Sequence, residues 1–124
     1  MGGSDEAPTV LLVDDSPSVR MLCRVNLELE GFRVIEAASG AEAREQLGRE
    51  PVDVMLLDVH IGGEDGRALL RELRSEGLTA RTALITGSVE LGDGDSTLAD
   101  GVLTKPFEPR DLIAIVRRLA GAGV

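Results

Sequence analysis

Apolar residues fall along this chain in short runs that switch between two periods, continuous for four to six residues and then spaced three and four apart. Thr9-Val10-Leu11-Leu12-Val13 is a continuous run and predicts a strand buried on both faces. It stops at Asp14-Asp15, and Ser16-Pro17, a capping residue followed by a first-turn proline, opens a helix. Val19, Leu22, Cys23, Val25 and Leu29 are expected to form its inward stripe, with Gly31 as its stop. Residues 32–37 predict a second strand, and Ser39-Gly40-Ala41-Glu42 fits a capping box that starts a second helix. A third strand over residues 52–57 ends at Asp58. A loop over residues 59–64, carrying two glycines, leads to a third helix with Leu69, Leu70 and Leu73 inward and Gly77 as its stop. Residues 82–86 predict a fourth strand and residues 102–105 a fifth. Between them Gly87, Gly92 and Gly94 leave room only for a short or irregular fourth helix. Pro106 and Pro109 lead into a last helix, with Leu112, Ile115, Val116 and Leu119 inward.

Five strands alternating with helical segments predict an α/β fold, a doubly wound parallel sheet covered on both faces. Residues 1–7 are small and polar and read as a disordered lead-in to one domain over residues 8–121. In such open sheets ligands bind beyond the carboxyl ends of the strands, so chemistry is sought there.

Composition narrows the function. A chain of 124 residues, 43% hydrophobic and 28% charged, has the balance of one globular domain. The net charge of −9, from 13 basic and 22 acidic residues, argues against nucleic-acid binding by this domain. Phe32 and Phe107 are the only aromatics, so base-stacking platforms are absent. No apolar run has membrane-spanning length and no basic-then-apolar leader opens the chain, which predicts a cytoplasmic protein without a membrane partner. The lone Cys23 can form neither an internal disulfide nor a zinc site, and is expected to be buried in a helix.

The strand ends carry the candidate chemistry. The first strand ends in Asp14-Asp15, the third in Asp58, the fourth in Thr86 and the fifth in Lys105-Pro106. Taken singly these are bland. An Asp at a strand end often forms a turn, a Lys is often a solvated charge, and a Thr is ordinary in a strand. Taken together, three carboxylates repel unless a cation joins them, and a hard divalent ion with oxygen ligands, magnesium above all, resolves the repulsion. A carboxylate nucleophile, a metal, an ammonium and a hydroxyl are the parts needed to stabilise a transferring phosphoryl group.

From about Thr9 to Leu119 the chain resembles the receiver domains of two-component response regulators, CheY-like in fold. The matching pieces are Val13-Asp14-Asp15-Ser16, Leu56-Leu57-Asp58-Val59, Gly63-Glu64-Asp65-Gly66, Thr86 and Thr104-Lys105-Pro106-Phe107. The resemblance implies a flavodoxin-like fold with strand order 2-1-3-4-5. It implies Asp58 as phosphoacceptor and a Mg2+ ion held by Asp14, Asp15, Asp58 and the backbone carbonyl of His60. It also implies Thr86 and Lys105 as phosphoryl-binding groups and a cis peptide at Pro106. The implied partners are a histidine kinase or phosphotransfer protein as donor, and an output protein or fused domain that the sequence does not name. Two departures stand out. Val102 occupies the switch position where receivers often carry an aromatic residue, and Gly87 follows Thr86 where Ala is common. The Thr86-Gly87 pair is similar to that of an atypical receiver subgroup. With the aromatic absent, the segment from residue 87 to 101 becomes the expected responsive element.

Three rival readings remain. Asp93-Gly94-Asp95-Ser96-Thr97 has the letters of a haloacid-dehalogenase-type phosphatase motif, but follows no buried strand and reads as an acidic loop. A nucleotide- or flavin-binding module would need a glycine-rich turn after the first strand, and none is present. A pseudo-receiver, binding proteins without phosphorylation, is the alternative left, and all five chemical positions being filled argues against it. His60, the sole histidine, reads as a loop side chain beside the site rather than a phosphoryl donor.

Overall fold

A computed structural model describes residues 7–87 and 98–121. The chain begins with β1 (Thr9–Val13), α1 (Pro17–Leu29), β2 (Arg33–Ala37), α2 (Gly40–Arg49) and β3 (Val54–Asp58). It continues with β4 (His60–Ile61), β5 (Glu64–Asp65), α3 (Gly66–Ser75), β6 (Arg81–Thr86), β7 (Gly101–Thr104) and α4 (Pro109–Gly121). The main sheet is parallel throughout, in the order β2-β1-β3-β6-β7. For the five long strands that is the expected 2-1-3-4-5 order. The chain leaves β1 toward one edge and returns past it to β3, so a crevice opens beyond the carboxyl ends of β1 and β3.

The run of β1 is apolar at every position because both faces are covered. Val10 and Leu12 pack with Cys23, Leu27, Leu112, Ile115, Val116 and Leu119, which places α1 and α4 on one face. Leu11 and Val13 pack with Ala43, Leu69, Leu70 and Leu73, which places α2 and α3 on the other. β3 divides in the same way, Val54 and Leu56 to the first core, Met55 and Leu57 to the second. A period of two thus feeds both cores from the central strands.

Helix starts follow the predicted chemistry. Ser16 caps α1 by accepting from the Val19 amide at 3.3 Å, and Ser39 caps α2 by accepting from the Glu42 amide at 3.2 Å. The Glu42 carboxylate reaches back to the Ala38 amide at 2.7 Å. Several expectations need correction or limits. Of the expected α1 stripe, Val19 and Cys23 face the core, joined by Leu27, whereas Leu22, Val25 and Leu29 are exposed, together with Met21. The helix carries apolar residues on two stripes, and its period alone does not say which one faces the sheet. Residues 59–64 are not a plain loop, because β4 and β5 pair antiparallel around Gly62-Gly63. Gly62 has φ of 61°, the left-handed conformation that such a tight turn requires. The expected irregular fourth helix and the Asp93–Thr97 acidic motif lie almost wholly at residues 88–97, outside the described residues. So does most of the disordered lead-in expected over residues 1–7. Among the described residues no helix is long and apolar enough to cross a membrane.

Candidate phosphoacceptor and metal site

The crevice collects its side chains from four segments. Asp14 follows β1, and its amide extends the strand ladder by donating to the Ala37 carbonyl at 3.1 Å. Its side chain turns inward, 2% exposed as a residue, while Asp15 next to it is exposed. Asp58 is the last residue of β3, 5% exposed. Lys105 follows β7, its amide fixed to the Thr86 carbonyl at 2.7 Å. Thr86 closes β6, buried, one position beyond the Ile85 that registers with Asp58.

One oxygen from each of Asp14, Asp15 and Asp58 lies within 4.8 Å of the others. The Lys105 ammonium donates to Asp58 Oδ2 at 2.9 Å and sits 3.5 Å from Asp14 Oδ2. Asp58 Oδ1 accepts from the His60 amide at 2.9 Å, Asp15 Oδ2 from the Gly62 amide at 3.0 Å, and Asp14 Oδ1 from the Ser16 amide at 2.9 Å. Asp14 Oδ2 is buried and accepts no hydrogen bond from the described residues. Burial pushes the Asp14 carboxyl up to about 6. The Ser16 amide opposes this, Asp58 adds to it, and Lys105 offsets part of it. Burial works against the Lys105 ammonium, but the Asp58 and Asp14 carboxylates outweigh it and hold the amine above its ordinary range. A cluster of oxygen donors with an orphaned buried lone pair fits a hard divalent cation, which would remove the cost of charging Asp14.

The structure therefore brings Asp14, Asp15, Asp58 and Lys105 together, with Thr86 at the same sheet edge. The imidazole of His60 is on an exposed residue, and its amide rather than its ring addresses Asp58. The Lys105–Pro106 peptide is cis. Val102 lies on β7 opposite Leu84 and is 39% exposed, beside a groove of about 520 Å³ that Phe107, Ile115 and Arg118 help to line. Cys23 is buried on the inner face of α1, and burial, reinforced by Asp14, pushes its thiol up to about 12, so it is not a nucleophile at neutral pH.

Two residues at the site have roles that sequence patterns did not reveal. Gly66 opens α3 and donates its amide to the Val59 carbonyl at 2.7 Å. A Cβ there would stand 2.1 Å from the carbonyl oxygen of Asp58, so the helix approaches the Asp58 backbone as only glycine permits. The Gly63-Glu64-Asp65-Gly66 motif contained the signal without its reason. Arg20 donates from Nη1 to the Asp14 carbonyl at 2.6 Å. A lone Arg on a helix gives no sequence signal for such a contact.

Comparison with known proteins agrees with this geometry. The family model for the response regulator receiver domain matches residues 10–117. The transcriptional regulatory protein GltR of Pseudomonas aeruginosa is 34% identical over 116 residues, 90% of this chain and 48% of that protein. The chain spans about half the length of the curated relatives it matches. The receiver domain of the Francisella response regulator 1452 superposes with a TM-score of 0.86 at 27% identity, covering 94% of this chain and 99% of that one. The response regulator TrrA of Thermotoga maritima, solved in complex with Mg2+-BeF, superposes with a TM-score of 0.82 at 29% identity, covering 90% and 98%. A parallel sheet covered by helices on both faces, its acidic crevice, and a family match over nearly all its length make this chain a member of the receiver domain family of two-component response regulators.

Proposed function

We propose that this receiver takes a phosphoryl group onto Asp58 from a histidine kinase or phosphotransfer protein and thereby changes a partner-binding surface. The observation that carries the reading is the buried Asp58 carboxylate, held at 2.9 Å by Lys105 and clustered with Asp14 and Asp15 oxygens. Mg2+, the ion present in the similar TrrA complex, would be held by Asp14, Asp15, Asp58 and the His60 carbonyl. When bound it would supply positive charge to the phosphoryl oxygens and to the carboxylates that otherwise repel.

The chain's own groups account for the rest. An oxygen of Asp58 attacks the phosphorus of a phosphohistidine; the O–P bond forms as the P–N bond breaks, and the imidazole leaves with the bonding pair. The His60 amide holds the other carboxylate oxygen and fixes the line of attack. Lys105 follows the charge from Asp58 to the phosphoryl group, and the Thr86 hydroxyl donates to a phosphoryl oxygen. The decisive experiment is incubation with acetyl phosphate and Mg2+ followed by intact mass. A gain of one phosphoryl group, lost in Asp58→Asn and in excess chelator, is expected. An unchanged mass would favour a phosphorylation-independent binding module instead.

A further inference from the structure

Arg20 lies on α1, three residues past its start, yet its side chain is only 17% exposed. Its Nε donates to Glu36 Oε1 at 2.9 Å, and its Nη1 donates to the Asp14 carbonyl at 2.6 Å. Glu36 sits on β2 in register with Leu12 of β1, and its second oxygen accepts from Arg24 Nη1 at 2.8 Å. The guanidinium is thus anchored on one side by the sheet and grips, on the other, a carbonyl inside the acidic turn.

That carbonyl belongs to the peptide joining Asp14 and Asp15. A peptide is planar, so fixing its oxygen fixes the direction in which Asp15 leaves. Two other tethers of the turn, Ser16 amide to Asp14 Oδ1 and Gly62 amide to Asp15 Oδ2, occupy carboxylate oxygens and compete with a cation for them. The Arg20 tether uses backbone only, and can hold the pair in place while both carboxylates ligate.

We propose that Arg20 is a positioning residue for the acidic pair: locked to Glu36, it fixes the Asp14–Asp15 peptide so that both carboxylates address one cation. This rests on the reading of the crevice as a divalent-cation site. The role is geometric rather than electrostatic, because the guanidinium grips a backbone carbonyl while ion-paired to Glu36. Lysine has no planar fork to hold Glu36 and the carbonyl together, so retaining the charge does not retain the function.

The test is Mn2+ titration of the unphosphorylated protein, followed by electron paramagnetic resonance, in the wild type, Arg20→Ala, Arg20→Lys and Glu36→Gln. Thermal unfolding in chelator is recorded for each. The wild type is expected to bind one Mn2+ per chain. Both Arg20 variants are expected to bind about 10-fold more weakly at unchanged stoichiometry, the scale found when partners of metal ligands are removed. A purely structural loss would lower the stoichiometry and the melting temperature and leave the affinity of the folded fraction alone, which overturns the proposal. So does wild-type affinity in Arg20→Ala, or full recovery in Arg20→Lys. If Arg20→Ala does not fold, Glu36→Gln decides: weaker Mn2+ binding supports the relay and unchanged binding overturns it. No Mn2+ binding by the wild type overturns the cation reading itself, whereas wild-type binding with no loss in any variant overturns the role of Arg20 alone.

Discussion

Asp14 is the residue whose charge the fold resists most openly. Its carboxyl titrates near 6 in the folded chain against 3.8 when free, so the folded state binds the proton more tightly. Its stabilising contribution is then fully present below 3.8 and is lost as pH rises through about 6. The metal-free domain is expected to melt at a higher temperature at pH 5 than at pH 7, with about 1 kcal/mol of extra stability at pH 5 from this group. Thermal scans in chelator check this, and Asp14→Asn should flatten the dependence. Glu36 sets the lower limit. Burial works against its charge, but Arg24 and Arg20 outweigh it and lower its pKa, so its contribution is lost as pH falls further. Gly66 is the other residue where a small change has a large expected effect. Gly66→Ala drives a methyl into the Asp58 carbonyl, and about 3 kcal/mol of destabilisation is expected from overpacking against backbone, read by urea unfolding. Asp14, Asp15, Asp58, Thr86 and Lys105 could be named from sequence because topology alone carries strand ends to one edge. The roles of Gly66 and Arg20 could not be read, because they depend on distances of closest approach.

At the scale of elements, strands and helix caps were legible because local chemistry decides them. The face of α1 was not, because Val19-Cys23-Leu27 and Met21-Leu22-Val25-Leu29 are both apolar rows and only packing against β1 and α4 chooses between them. The β4–β5 pairing was missed for a related reason: two-residue strands leave no periodicity to read. A different coupling ties α3 to the far strands. Arg74 on α3 donates to the carbonyls of Leu78, Ala80 and Leu98 and pairs with Asp100 at 3.0 Å. Asp100 also accepts from the Thr82 amide at 2.7 Å. One guanidinium therefore pins the entry to β6 and the approach to β7. Arg74→Ala is expected to cost about 2 kcal/mol, since several carbonyls lose a charged donor at once. Amide exchange should rise at residues 98–102 ahead of β1 and β3, and uniform acceleration across the sheet would contradict a local latch.

For the whole molecule, the crevice crowds three carboxylates whose repulsion a bound cation would relieve. Mg2+ that binds only the folded chain should raise its stability by roughly 2.7 kcal/mol at one hundred times its Kd, and the gain should vanish in Asp15→Asn. Calorimetric scans with and without Mg2+ at pH 7.5 measure it. The same site is assembled from positions 14–15, 58, 86 and 105, so its parts span most of the chain. Asp14 and Asp15 emerge early in synthesis and Lys105 late. Until β7 docks beside β6, Asp58 has no ammonium partner and the carboxylates meet unbalanced. On the proposed function, the ability to carry a phosphoryl group would be a property of the finished sheet, and a chain arrested short of β7 would be silent as well as unstable. Signalling competence and completed folding would then arrive in the same step, making Asp58 a quality check on its own scaffold.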